Sequence, residues 1–320
     1  MKTIGLNSPD WRHIRMALSL ALLRREPVIV KNGYEFIGKN YDLVPLYNDL
    51  KKTVFDTGAG MLNESGTDIM FYPEGLPPGT YNFETDKFSS ISEIELFLLP
   101  SLLYSEFRSV INYTGVTHCH LSYPTTFLKE TLFSFLEVTG HYASLNLKRF
   151  GFYGSGGGSA VSRIYPAEPV KCGSLFSFDE CRIEGVRIFM AKMNMEMAGR
   201  EKEFIVRNAG VDESRVQIME IVDADGYGNS IHIYVKCGGV NVILSRDMEV
   251  YNSAGDFVFE ESRYYTTLAG LLRDTGRLVK LKTLPDYLID EVIPYLVLGG
   301  SEIPEEFKNS ACYLICGEIL

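Results

Sequence analysis

Long apolar runs are absent from this sequence. No stretch reaches the roughly 18 consecutive apolar residues that a membrane-spanning helix needs, and the first residues lack the pattern of a secretory signal or a basic amphipathic presequence. We therefore expect an intracellular protein with no membrane partner. Of the 320 residues, 46% are hydrophobic and 22% charged, so the chain can bury substantial cores, and its length indicates about two domains.

Cysteine pairs of the C-x-x-C type are also absent. The six cysteines are scattered, which predicts free buried thiols rather than disulfides or zinc sites. The segment His118-Cys119-His120 places two imidazoles close together, but no third ligand is evident, so packing is the favoured interpretation and no metal site is predicted. The cysteines are Cys119, Cys172, Cys181, Cys237, Cys312 and Cys316.

Basic residues are too few for a protein that captures nucleic acid over a broad surface. The 31 lysines and arginines are outnumbered by 41 aspartates and glutamates, giving a net charge of −10. Any contact with RNA must therefore be local. Stacking on tryptophan is equally limited, because Trp11 is the only one. Its place at a helix start favours a core anchor over a platform for a nucleic-acid base.

The chain does contain a glycine-rich segment between two alternating runs, 143–147 and 161–165, which predict strands. Glycine reaches positive φ without steric cost and lets a phosphate or another chain approach the backbone closely. Successive backbone N–H groups in such a turn form a nest for an anion. We predict an anion-accepting pocket here, with close strand packing as the competing interpretation. Its candidate residues are Lys148, Arg149, Gly154, Gly156, Gly157 and Gly158.

A weaker copy of this region lies upstream. The aromatic pair Phe71-Tyr72 corresponds to Phe152-Tyr153, and a hairpin predicted over 68–72 and 81–84 corresponds to the glycine hairpin. Both hairpins follow the same order of elements, which predicts an internal repeat of helix, strand, helix, strand, strand. The preceding elements are 14–23, 27–30 and 43–55 in the first copy, and 94–104, 109–113 and 125–138 in the second.

The chain leaves the repeat after Ala167. An amphipathic pattern predicts a helix over 190–208. The segment 223–229 resembles the start of a calcium loop, but the twelfth position of that loop is Tyr234 instead of an acid, so we interpret it as a turn. Alternating runs predict strands over 216–222, 230–236 and 240–245.

Four segments resemble, in order, the RNA 3′-terminal phosphate cyclases. The pair 15–22 and 27–30 resembles their opening helix and strand, 113–117 resembles their Gly-x-Thr strand end, and 147–158 resembles their glycine hairpin. The helix predicted over 286–298 resembles the one that carries an aspartate, here Asp290, in the nucleotide pocket. The resemblance implies an α/β (α+β) cyclase-like fold of repeated helix/strand units with an inserted small α/β domain. It implies repeats one and two over 1–181, the inserted domain over 182–250 and a third partial repeat over 251–320.

The functional residues of that family are not all kept. Its Glu-Gly-Gly-Gly-Gln signature, whose glutamate serves metal and nucleotide, corresponds to Ser8-Pro9-Asp10-Trp11-Arg12. Its nucleophile is a histidine near the C-terminus. The aligned residue here is Tyr313, and no histidine follows His232. The segment 38–45 lacks the arginines that grip RNA phosphate in the enzymes.

These departures resemble the non-catalytic cyclase-like branch of eukaryotic small-subunit ribosome biogenesis. The resemblance implies an assembly factor without metal or cofactor, which binds the ribosome-biogenesis GTPase of the small-subunit processome and, as a further ligand, pre-rRNA. It implies a place in the nucleolus or nucleus, or in the cytoplasm outside eukaryotes. Two enzymatic alternatives stay open: an active ATP-dependent cyclase, with Tyr313 or another nucleophile, and a pre-rRNA endonuclease. The remaining candidates are Arg12 and Arg15 for anion or RNA binding and Asp290 in a vestigial nucleotide pocket.

Overall fold

The computed structural model describes residues 1–5, 10–168, 170–172, 176–252, 255–258 and 260–320. Within these ranges the chain forms three four-stranded mixed sheets with helices packed on them, so the α/β class expected from the sequence is confirmed. Ser8, which takes the place of the family's metal glutamate in the sequence comparison, lies outside the described residues.

The amino-terminal sheet has the strand order β1-β2-β4-β3. Strands β1 and β2 are parallel, and the other neighbours are antiparallel. Asp10 begins the first helix, because its side chain accepts a hydrogen bond of 2.8 Å from the Arg12 backbone N–H. The elements are β1 (Lys2–Gly5), α1 (Trp11–Arg24), β2 (Val28–Lys31), α2 (Gly33–Lys39), α3 (Val44–Thr57), β3 (Gly60–Ser65) and β4 (Asp68–Pro73).

The second sheet repeats this topology. Its strand order is β5-β6-β8-β7, with β5 and β6 parallel and the other neighbours antiparallel, so each strand has a counterpart four positions earlier. The internal repeat is thus present in three dimensions. The elements are β5 (Thr80–Glu84), α4 (Ile91–Leu103), β6 (Ser109–Gly115), α5 (Thr125–Phe127), α6 (Phe133–Val138), β7 (Tyr142–Arg149) and β8 (Gly158–Tyr165), with a π-helical turn, Leu128–Leu132, joining α5 to α6.

The hairpin predicted for the first copy is wrong in its pairing. Strand β4 pairs with β3 through the two-residue turn Gly66-Thr67, where Gly66 has a φ of 63°. Residues 81–84 belong to β5, which begins the second sheet. The prediction missed β3, because the prolines and Gly79 after β4 resemble a turn, whereas the true turn has a single glycine.

The third sheet covers the region predicted as an inserted domain, and its order is β10-β9-β11-β12. Strand β9 extends to Ala191, so Met190 lies in a strand and the amphipathic helix begins only at Met195. The division of the chain into domains stays a prediction. The elements are β9 (Cys181–Ala191), α7 (Met195–Ala209), β10 (Val216–Glu220), β11 (Gly228–Cys237) and β12 (Val240–Asp247).

Two cysteines expected to be free thiols are bonded to each other. Cys181 and Cys237 lie directly opposite on the antiparallel strands β9 and β11 and form a disulfide. They are 56 residues apart, so only the strand register brings them together. The other four cysteines are free thiols; Cys119, Cys312 and Cys316 are buried, as expected, whereas Cys172 is partly exposed.

Three helices at the carboxyl end pack back onto the earlier part of the chain. They are α8 (Glu261–Leu281), α9 (Asp286–Leu298) and α10 (Ala311–Ile319). Helix α10 contacts α9, α1 and β1, and α1 also packs against α4. Every residue of α4 is buried, as expected for a helix that is apolar around its whole circumference. Among the described residues, no helix combines the length and the apolar character that crossing a membrane requires.

Candidate functional site

A buried cluster of charged residues fixes α1 against its neighbours. The Arg15 side chain is 2% exposed, and its Nε lies 2.9 Å from the Glu93 carboxylate of α4. The same guanidinium forms an ion pair with Glu291 of α9. Burial raises the pKa of Glu291, and Arg15 opposes that rise. The structure therefore places Arg15 in the core between two acids, which does not favour its predicted contact with RNA.

Glu93 has three partners. It accepts a hydrogen bond of 2.7 Å from Trp11 Nε1 and one of 2.6 Å from the Ser122 hydroxyl, in addition to the ion pair with Arg15. Trp11 is 4% exposed, which agrees with its interpretation as a core anchor. Because Ser122 belongs to the wall of the adjacent cavity, the buried cluster supports that wall directly.

Two cavities adjoin this cluster and share Arg12 and Tyr287 as wall residues. The first has a volume of about 250 Å³ and the second about 450 Å³. Aromatic rings form one side of the first: Tyr123 and Phe127 stack with centroids 4.4 Å apart, and Tyr287 lies 5.9 Å from Tyr123. The Tyr123 hydroxyl donates a hydrogen bond of 3.2 Å to the Tyr287 carbonyl oxygen, which fixes the two rings relative to each other.

Three guanidinium groups line these cavities. Arg12 forms an ion pair of 3.0 Å with Asp10, and Arg246 forms one of 2.8 Å with Asp274. Arg277 belongs to the wall of the second cavity. A flat apolar group that stacks on the rings of the first cavity would therefore find cations for an attached phosphate nearby.

One acid in the wall of the first cavity is buried and has a raised pKa. Asp247 is 8% exposed, and neither of its carboxylate oxygens forms a well-aligned hydrogen bond within the described part of the chain. Burial raises its pKa to about 7. At neutral pH this side chain can therefore either donate a proton to a bound group or accept one from it.

Asp290 lies one helical turn beyond Tyr287 on α9, next to neither of the two cavities. Its carboxylate Oδ2 is 4.0 Å from His13 Nε2 of α1. The buried thiol of Cys312, on α10, also interacts with Asp290. Tyr313, the residue aligned with the family nucleophile, instead lines a different cavity with Lys171 and Lys308. The structure thus brings Asp290 together with Cys312 and not with Tyr313.

The glycine hairpin is occupied by contacts of its own. Gly154 N–H donates to the Lys87 carbonyl oxygen at 2.7 Å, and Gly156 N–H donates to Phe152 at 2.9 Å. A Cβ on Gly157 would lie 1.8 Å from the Asp225 carboxylate, and Gly157 has a φ of 73°.

The two cations before the glycines differ in exposure. Arg149 forms an ion pair of 2.6 Å with Asp225 and donates a hydrogen bond to the Gly157 carbonyl oxygen, whereas Lys148 is exposed. The same acid that approaches Gly157 thus neutralises Arg149 locally. These contacts favour the packing interpretation of Lys148, Arg149, Gly154, Gly156, Gly157 and Gly158, and the anion site stays a prediction.

The His118-Cys119-His120 segment supplies packing, as the sequence indicates. His118 stacks on Phe150 at 4.8 Å and on His232 at 5.6 Å, and burial lowers its pKa to about 3. Its imidazole is therefore neutral at physiological pH. His120 makes an edge contact with Tyr153.

The sequence analysis missed Glu93, Asp247 and Cys312. Glu93 carried a detectable signal, because it is one of two acids, with Glu95, in a mostly apolar helix, and such acids must find partners when the helix is buried. Asp247 and Cys312 gave no such signal, since their surroundings come from distant segments.

The described residues form a mixed α/β protein of repeated sheets, with a cavity that offers aromatic rings and guanidinium groups side by side. The family model for RNA 3′-terminal phosphate cyclase matches residues 11–312, and the chain belongs to that family.

Individual relatives bear the name of the enzyme. The chain is 27% identical to the RNA 3′-terminal phosphate cyclase of Koribacter versatilis over 248 residues, which cover 76% of this chain and 67% of that protein. It is 27% identical to the cyclase of Pseudomonas aeruginosa, over 50% of this chain and 46% of the relative, and 28% identical to that of Thermococcus sibiricus, over 48% and 44%. Several matches thus span about half the length of the relative or less.

Among solved structures, the enolpyruvyl transferase NikO from Streptomyces tendae is similar to part of the chain. The identity is 18% with a TM-score of 0.30, over 52% of this chain and 32% of that one.

Proposed function

We propose that this member of the cyclase family binds a nucleotide, or a phosphorylated RNA end, in the cavities that share Arg12 and Tyr287. The observation that carries the proposal is the juxtaposition of stacked aromatic rings with guanidinium groups. A base stacks on aromatic faces, and a phosphate accepts charge-assisted hydrogen bonds from arginine. The two cavities, of about 250 and 450 Å³, together fit a base and a phosphorylated ribose better than one cavity alone does.

ATP binding tests this proposal. We expect Tyr287→Leu to weaken ATP affinity, measured by calorimetry, because stacking contributes about 1–3 kcal/mol per base, or roughly 5- to 150-fold. Arg12→Gln should weaken it by a similar factor through the lost contact with phosphate. Arg24→Gln is the matched control, since Arg24 is exposed on the same helix, and it should bind ATP like the unchanged protein. Equal ATP affinity in all four proteins would refute the proposed site.

We further propose that binding does not lead to the covalent histidine adenylate of the cyclases. No histidine follows His232, and His232 itself is fully buried between His118 and Phe189. Incubation with labelled ATP should therefore leave no acid-labile nucleotidyl adduct on the protein. A protein that binds ATP but forms no adduct has lost the chemistry. A protein that does not bind ATP has lost the pocket itself.

An active cyclase is the second candidate, and one observation favours it. Cys312 lies beside Asp290, one residue before the Tyr313 that the resemblance aligns with the nucleophile, and a thiolate is intrinsically nucleophilic. Its burial raises the thiol pKa, which opposes this role. A labelled adduct that Cys312→Ala abolishes and Tyr313→Phe retains would establish the cyclase alternative with a new nucleophile. The endonuclease alternative has no residue cluster in its support.

For the cellular role, we propose the assembly factor of the small ribosomal subunit, acting in the nucleolus through the processome GTPase. The support is a net charge of −10, which suits a basic peptide partner better than bare RNA, together with the absence of the histidine nucleophile. A basic segment of the GTPase should bind at about 8 kcal/mol or better. If RNA binds through its phosphates, its affinity should fall steeply as the salt concentration rises. Tight binding of pre-rRNA at physiological salt without binding of the GTPase would contradict this role.

A further inference from the structure

Three helices that are distant in sequence bring a histidine, an aspartate and a cysteine to one point. One ring nitrogen of His13 on α1, one carboxylate oxygen of Asp290 on α9 and the sulfur of Cys312 on α10 all lie within 4.8 Å of one another. Within the described part of the chain, these three side chains thus bring three kinds of metal-ligating donor atom close together.

The donor groups of the cluster are largely shielded from solvent. The Nδ1 of His13 is buried and has no hydrogen-bond partner among the described residues. Cys312 is fully buried, and its sulfur lies beside the carboxylate of Asp290. A cation bound among these three side chains would be held by a thiolate, a carboxylate and an imidazole lone pair, and it would neutralise the two negative donors.

We propose that His13, Asp290 and Cys312 form a binding site for a divalent transition-metal ion, with zinc as the expected occupant. The donor set decides the metal, because thiolate and imidazole select zinc and related ions, whereas magnesium and calcium require oxygen ligands. Binding converts the Cys312 thiol to a thiolate and releases its proton to solvent.

The distances are compatible with this assignment after a small contraction. Zinc lies about 2.3 Å from sulfur and about 2.0–2.2 Å from nitrogen or oxygen, so tetrahedral donors are roughly 3.3–3.6 Å apart. Because the three atoms lie within 4.8 Å of one another, they must approach by at most about 1.2–1.5 Å. Three protein ligands leave a fourth position open to water or to a bound group.

The site is separate from the proposed nucleotide cavities. None of its three residues belongs to the walls that contain Arg12 and Tyr287. Failure of zinc binding would therefore leave the nucleotide proposal untouched, and failure of ATP binding would leave this site untouched.

Metal titration of the full chain, made metal-free with a chelator, tests the site. Zn²⁺ in competition with a chromophoric chelator should bind with a stoichiometry of one. Co²⁺ at the same site should give the near-ultraviolet charge-transfer absorption of a cobalt–thiolate bond, which requires no variant and reports the cysteine ligand directly. Binding of no metal, or a cobalt spectrum without the thiolate band, would overturn the proposal.

Matched variants identify the ligands. Cys312→Ala should remove the thiolate band and weaken zinc binding by more than the roughly 10- to 100-fold that loss of an outer-shell partner costs. Cys316→Ala is the control, because Cys316 is a buried free thiol on the same helix. Asp290→Asn should weaken zinc binding, whereas Asp286→Asn on the same helix should not. If Cys312→Ala does not fold, His13→Gln must still reduce affinity, and unchanged affinity there would refute the site.

Discussion

Replacing Arg15 with methionine should lower the free energy of unfolding by about 3–5 kcal/mol, because removing one partner of a buried ion-pair network leaves uncompensated charge in the core. Arg15 is the cation shared by Glu93 and Glu291, and all three side chains are almost fully buried. Methionine keeps most of the volume, so the loss reports charge rather than a cavity. Urea denaturation followed by circular dichroism measures the change.

The matched control is Arg24→Met, on the exposed face of the same helix, which should change stability by less than about 0.5 kcal/mol. Neutralising both acids as well, in Arg15→Met/Glu93→Gln/Glu291→Gln, should restore part of the loss. A loss below about 1 kcal/mol in Arg15→Met, or no recovery in the triple variant, would show that the network contributes little.

The deficit of Arg15→Met should also grow as the pH rises. Burial raises the folded-state pKa of Glu291, so its contribution to stability is complete below the unfolded pKa and is lost as the pH increases through the folded pKa. Without Arg15, the pKa of Glu291 loses the largest contribution that opposes its rise, although Arg12 still opposes it, and the loss of stability with increasing pH becomes larger.

Because of Glu201, the free energy of unfolding should decrease as the pH rises from acid to mildly alkaline values. It is fully buried on α7, and burial raises its pKa from 4.5 to about 8, partly opposed by the Asn229 side chain, which donates a hydrogen bond of 3.0 Å. Because the folded pKa is the higher one, the stabilisation is complete below pH 4.5 and is lost as the pH rises towards 8. The slope attributable to this group is at most about 1.4 kcal/mol per pH unit.

Glu201→Gln tests this directly. The amide oxygen can still accept the hydrogen bond from Asn229, but the group no longer titrates. The free energy of unfolding at pH 8 should therefore increase. Its slope against pH between 5 and 8 should flatten by the amount that one titrating proton contributes. Glu203→Gln, exposed on the same helix, should leave the slope unchanged. Parallel stability curves for Glu201→Gln and the unchanged chain would contradict the assignment.

The sequence predicts local structure well where the pattern is local. The helix predicted over 286–298 has those bounds in the structure, because its apolar spacing and the proline before it define both ends. The order of repeated elements was likewise readable, since it depends on hydrophobic periodicity. The pairing of the first hairpin was not readable, because the turn before β4 and the proline-containing segment after it both resemble hairpin turns. Only the strand pairing in the folded sheet decides between them.

The candidate site was predictable only in part. Arg12 and Asp290 were recognised through a resemblance, whereas the partners of Asp290 come from α1 and α10, whose meeting depends on the whole fold. A shift of one residue in the alignment exchanges Tyr313 for Cys312, and on a helix one position turns the side chain by about 100°. The disulfide between Cys181 and Cys237 was unpredictable for a related reason: strand register, not spacing, makes them neighbours.

The packing of α10 on α1 and β1 joins the two ends of the chain. Lys2 Nζ donates a hydrogen bond of 2.9 Å to the Ile319 carbonyl oxygen, across a sequence separation of 317 residues. A closure this long carries a high entropic cost, and it grows only with the logarithm of the loop. During synthesis, α1 and β1 emerge from the ribosome long before α10, which packs on both, so the apolar surface that α10 covers stays exposed to water until that helix has been made.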